Sequence, residues 1–88
     1  MPKFIYMEAS PALSGKARQF GRRYRKLAVV ELEPGFEGRP KMISERALGV
    51  RRVVECTTVH VGKTSRSAGV QTMARYRALA DALNADNA

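Results

Sequence analysis

The chain has no tryptophan, one cysteine and one histidine, and these scarcities exclude several kinds of chemistry. The single cysteine, Cys56, forbids an internal disulfide and fits a reducing compartment. Cys56 and His60 supply one thiol and one imidazole, fewer groups than a zinc site requires. On a regular strand they would share a face about 13 Å apart, too far to hold one metal or to act as a nucleophilic pair. No apolar run approaches the roughly 20 residues needed to cross a bilayer. The opening MPKFIYMEASPAL has no apolar stretch of about 7–15 residues, so it does not read as a secretory signal. The expectation is a cytoplasmic protein with no membrane partner, no metal and no cofactor.

Acid is the other scarcity. Eight Asp and Glu stand against sixteen Lys and Arg, a formal net charge of +8. Eleven of the sixteen cations are arginine, whose planar fork suits phosphates and carboxylates and stacks on bases. With 88 residues the chain reads as one domain, residues 1–88. Its mean hydropathy of −0.33 fits a water-exposed globule. So small a domain buries a limited core, which leaves room for a homodimer or a bound partner to add stability.

What is present is a block of cations. Lys16, Arg18, Arg22, Arg23, Arg25 and Lys26 fall within eleven residues with no carboxylate among them. A run of like charges repels itself and gains from an anionic partner. Phe20 and Tyr24 interleave with the block, but they share a helical stripe with Leu13, Ala17 and Leu27 and are assigned to the core. An amphipathic helix lying on an anionic membrane is disfavoured, because the apolar side of this stretch is thin and holds two glycines.

Lys3–Glu8 is aromatic and β-branched and reads as a strand, with Phe4 and Tyr6 on one side and Ile5 and Met7 on the other. Ser10-Pro11 starts a short helix over about 11–20, broken at Gly21. A strand follows over about 23–33, with Tyr24, Ala28, Val30 and Leu32 on one face and Arg23, Arg25, Glu31 and Glu33 on the other. Pro34-Gly35 marks a turn. Residues 41–50 fit two patterns: a helix capped by Ser44 and ended by Gly49, or a hairpin in which Arg39–Ser44 returns along Leu27–Glu33. Val50–Val61 is a long strand whose apolar phase slips, and the slip predicts a bulge or bend at Thr57-Thr58. From about Ser67 to Leu83 a helix places Met73, Tyr76, Leu79, Ala80 and Leu83 on one side. Residues 84–88 are expected to fray.

Two motifs fall short on inspection. Gly62-Lys63-Thr64-Ser65 resembles the end of a phosphate-binding loop, but the required first glycine position holds Thr57, and nucleotide hydrolysis is rejected. Lys63, Ser65 and Arg66 beside a helix start can hold one phosphate, although plain capping by Thr64, Ser65 or Ser67 is the preferred reading. Ser44–Val50 has the outline of a helix-turn-helix turn, yet Arg51–Val61 favours strand too strongly to be a second helix.

The expected architecture is α+β: a three- to four-stranded, mainly antiparallel sheet with a short N-terminal helix and a longer C-terminal helix packed on one face. The other face would be partly open and basic, displaying Arg23, Arg25 and either Arg51 or Arg52. No catalytic constellation is present, so the expected function is binding rather than catalysis. The expected partner is nucleic acid or a nucleoprotein complex, held by Lys16, Arg18, Arg22, Arg23, Arg25 and Lys26, with Arg51, Lys63 and Arg66 extending the patch. The alternative is an inhibitor or adaptor, of the kind phages and mobile elements carry, that docks on an acidic protein surface of a larger machine.

Overall fold

A computed structural model of the chain describes residues 2–9, 24–43, 46–60 and 66–86. In chain order the elements are β1 (Phe4–Ala9), β2 (Tyr24–Leu32), β3 (Lys41–Ile43), β4 (Arg46–Leu48), β5 (Val50–His60) and α1 (Arg66–Asp86). The expected helix over 11–20 lies outside the described residues.

Leu27-Ala-Val-Val is apolar at four successive positions, the pattern of a strand covered on both faces. β2, which contains it, is the central strand of an antiparallel sheet ordered β1-β2-β5. Leu27 and Val29 project to one side, where they form a core with Tyr76 and Ala80 of α1. Tyr6, Val54, Val59, Met73, Leu79 and Leu83 pack around that core. Burying Leu27 or Val29 to 1% exposure or less contributes about 1.5–3 kcal/mol each. Ala28, Val30, Leu32 and Val50 form a second core on the opposite side, flanked by Ile5 and Met7.

The α+β class, the antiparallel sheet and the C-terminal helix with its apolar stripe are as expected. The open basic face is not. Leu27 and Val29 alternate in the same phase as Arg25 and Glu31, so the side assigned to the cations is the side that α1 covers. Arg25 escapes burial because it lies towards the end of β2.

The slip in β5 is present, but the expected bulge at Thr57-Thr58 is not. Pairing runs unbroken from Cys56↔Ala28 to His60↔Tyr24, and the irregularities fall opposite Val29/Val30 and Glu31/Leu32. Val54 and Arg51 are thus the extra residues. Cys56 takes no part in the apolar alternation, so the phase slips earlier in the strand than Thr57-Thr58. Cys56 is exposed.

Residues 41–43 and 46–48 form neither expected arrangement. β3 pairs only with β4 in a separate two-stranded hairpin, with Ile43 opposite Arg46. The strand structure of β5 also removes the helix-turn-helix alternative. The Pro34-Gly35 turn is present: the Phe36 N–H donates to the Glu33 carbonyl at 3.1 Å, and Gly35 takes φ 76°. Proline first and a positive-φ glycine second is the signature of a type II turn.

The expected fraying from residue 84 does not occur through Asp86, because α1 continues and Asn84 anchors it. The Asn84 Oδ1 accepts from the Phe4 N–H at 2.8 Å, and its Nδ2 donates to the Phe4 carbonyl at 2.8 Å.

Candidate cationic binding surface

Register, rather than sequence proximity, decides where the described cations meet carboxylates. Glu8 of β1 lies opposite Leu27, which makes Arg25 its diagonal neighbour on the same face. The Arg25 Nη1 donates to Glu8 Oε2 at 3.3 Å. The other Glu8 oxygen accepts from the Tyr6 hydroxyl at 2.7 Å. Arg77 of α1 lies over the Tyr6 ring, 5.2 Å from its centre. Partial burial, then the bond to Glu8 and its charge, push the Tyr6 hydroxyl pKa well above its ordinary value. Tyr76 is also raised, first by burial.

Glu31 is the buried polar residue of the described core, 5% exposed. It lies directly opposite Arg52, whose Nη2 approaches Oε1 at 3.1 Å while its Nε donates to the same oxygen at 3.2 Å. Arg51 reaches Oε2 at 3.4 Å and Lys3 reaches it at 3.8 Å. Adjacent strand residues point to opposite faces, so Arg51 and Arg52 could not both reach one carboxylate on a regular strand. The bulge at Arg51 turns its side chain to Glu31. The second bulge works in the same way: Val54 packs into the helix-side core while Glu55 receives Arg75 of α1 at 3.1 Å.

Glu31 is thus ringed by three cations whose side chains remain 47–61% exposed. One carboxylate leaves them with an excess of two positive charges. Each arginine has five N–H donors, and only part of each set is used on Glu31. A cavity of about 300 Å³ adjoins Lys3, but Glu33 and Glu37 line it, so it offers little to an anion.

Of the sequence-derived candidates, Arg25, Lys26 and Arg51 have described side chains. Arg25 and Lys26 both lie near the start of β2, but on opposite faces of the sheet. Arg51 is at the other end, beside Glu31, about 20 Å away along the strand. Lys16, Arg18, Arg22, Arg23 and Lys63 lie outside the described residues, as does the side chain of Arg66, the residue that opens α1. The sequence reading gave Arg52 only as an alternative to Arg51, and it missed Lys3, Arg75 and Arg77 as members of the cationic surface and Glu8 and Glu31 as its organisers. Only the antiparallel register of β1, β2 and β5 brings these residues together.

Among the described residues no three of His, Cys, Asp and Glu gather in a metal-holding cluster, and no helix is long and apolar enough to cross a membrane. Comparison of the chain with protein families, curated proteins and solved structures finds no match. The fold and surface therefore define a class and nothing narrower: a small α+β protein with carboxylate-anchored arginines.

Proposed function

We propose that the protein is a small non-catalytic binding protein that holds nucleic acid, or a nucleoprotein complex, through phosphate contacts. The observation carrying this reading is the Glu31 cluster, where three cations fixed on one carboxylate keep unused donors in water. A flexible surface arginine loses side-chain entropy on gripping a phosphate, and one already positioned loses less. Glu8 with Arg25, and Arg77 nearby, add a second such group at the opposite end of the sheet. The sequence block from Lys16 to Arg23 lies between Glu8 and Arg25 in the chain.

Contacts of this kind position a protein on a nucleic acid and carry little base information, so specificity is modest. Mobility shifts on duplex DNA, single-stranded DNA and RNA at two salt concentrations test the reading. With about six phosphates neutralised, log K against log salt falls with a slope near −5 on duplex DNA. A flat salt response would remove the proposal. Guanidinium forks take carboxylates as readily as phosphates, so a pull-down repeated after nuclease treatment supplies the second arm. Partners lost with the nucleic acid support the reading, and partners retained assign the surface to an acidic protein.

A further inference from the structure

The cavity of about 300 Å³ beside Lys3 is as large as the smaller of the pockets that hold small ligands. Pro2, Leu32, Pro34 and Phe36 give it apolar walls, and Glu33 and Glu37 line it as well. Among the described residues neither of these carboxylates joins an ion pair. An ionised carboxylate only accepts hydrogen bonds, so a ligand of this cavity must donate them and must also present an apolar face.

The aromatic wall is fixed in place. A Cβ at Gly49 would stand 2.5, 2.5 and 2.6 Å from three carbons of the Phe36 ring. Such even distances put Gly49 over one face of the ring. The Phe36 N–H donates to the Glu33 carbonyl, and the Glu33 N–H donates to the Gly49 carbonyl at 2.9 Å. Ring, Glu33 and the corner before β5 are thus tied together, and Arg51 follows that corner by two positions. Lys3 joins the cavity to the Glu31 cluster: it lines the one, and in the other its Nζ stands 3.8 Å from Glu31 Oε2.

We propose that this cavity takes a guanine base from a single strand whose phosphate is held by Lys3 and Arg51. The inference rests on the nucleic-acid reading above and adds the base information that phosphate contacts lack. The base stacks on the face of Phe36 that Gly49 leaves free, as unpaired bases do on aromatic side chains. Guanine carries N1–H and N2–H donors side by side, a fork that fits both oxygens of one carboxylate as a guanidinium does. Adenine and cytosine set their amino group beside a bare ring nitrogen, whose lone pair would face the second oxygen. Uracil and thymine flank their one N–H with two carbonyls. A lysine or arginine from another protein would also donate to the glutamates. It would, however, enter beside the two positive charges left in excess at Glu31. A nucleotide brings a phosphate to that excess, so one ligand satisfies both halves of the site.

The full chain is titrated with single strands of thymine (DNA) or uracil (RNA) in which one internal base is replaced by guanine, adenine or cytosine. The guanine strand is expected to bind about tenfold more tightly than the others. In the Glu33→Gln, Glu37→Gln double variant that preference should vanish, while the all-pyrimidine strand binds as well as before or better. Both glutamates are exposed, and circular dichroism checks that the fold is kept; should it be lost, the base series on the parent decides alone. Glutamates that act only through their charge would strengthen every strand alike when replaced and leave the guanine preference intact, which overturns the inference. A parent that binds all strands equally, or prefers another base, overturns it while the phosphate reading stands. A parent that binds no strand at low salt overturns both.

Discussion

Gly49 illustrates how much of this fold hangs on single positions. It holds φ +75° at the corner between β4 and β5, and a Cβ there would lie 2.5 Å from the Phe36 ring. Its carbonyl also accepts the Glu33 N–H at 2.9 Å, tying the corner to the end of β2. Gly49→Ala therefore meets backbone strain of about 1–2 kcal/mol together with overpacking of about 1–3 kcal/mol. Gly35 has φ +76° with nothing within 4 Å, so Gly35→Ala meets the strain alone. Urea unfolding of the two variants should rank Gly49→Ala as clearly the more damaging, and equal losses would show that the Phe36 contact does not matter. Tyr6 offers a second test at this scale. Its folded pKa is raised from 10.0 by burial and by Glu8. Above pH 10 the unfolded chain gives up that proton while the folded chain keeps it, so the stabilisation is complete below pH 10 and declines above it. Tyr6→Phe should flatten the alkaline decline in unfolding free energy. A variant whose alkaline limb matches the parent would place the sensitivity elsewhere, Tyr76 being the next group to try.

At the scale of elements, Asn84 joins the last turns of α1 to the first residue of β1, eighty positions apart in the chain. Asn84→Ala deprives both backbone groups of Phe4 of their partner, at a cost of about 1–3 kcal/mol. Faster amide exchange at Phe4, with β2 still protected, is the expected local signature. Unchanged exchange there would mean water replaces the amide without loss. Asn84 also marks where sequence reasoning stops. Short-range patterns carried β1, β2, β5 and the apolar stripe of α1, because alternation and helical spacing are local properties of the chain. The ends of elements depend on partners far away, so a polar tail ending in Asn-Ala-Asp-Asn-Ala read as frayed. The bulges failed for the same reason. Nothing near Val54 says that α1 draws it inward, or that Glu31 draws Arg51 round to join Arg52. The candidate surface was legible as composition and illegible as geometry. Arg25 and Glu8 are seventeen residues apart, and only the pairing of β1 with β2 makes them neighbours.

For the whole molecule, the cations around Glu8 and Glu31 stand at two poles rather than in one patch, while Arg75 of α1 meets Glu55 between them. Arg25 and Lys26 hold one end of β2, and Lys3, Arg51 and Arg52 surround Glu31 at the other, about 20 Å away by strand rise. A ligand that engages both must be at least that long. A strand in stacked, duplex-like geometry advances roughly 3.4 Å per nucleotide, so bridging the poles takes about six in that geometry. Shorter oligonucleotides reach one pole at a time and bind weakly. Once both are reached, the second contact becomes intramolecular and affinity rises faster than the count of phosphates alone predicts. Titrating single-stranded oligonucleotides of increasing length at fixed salt should therefore show an upward step near six nucleotides. Replacing Arg25 and Lys26 together with glutamine should abolish that step while leaving the weak binding of short oligonucleotides at the Glu31 cluster. Affinity that grows smoothly with length in the parent would mean that the two poles never grip one strand, and that the cations act only through their summed field.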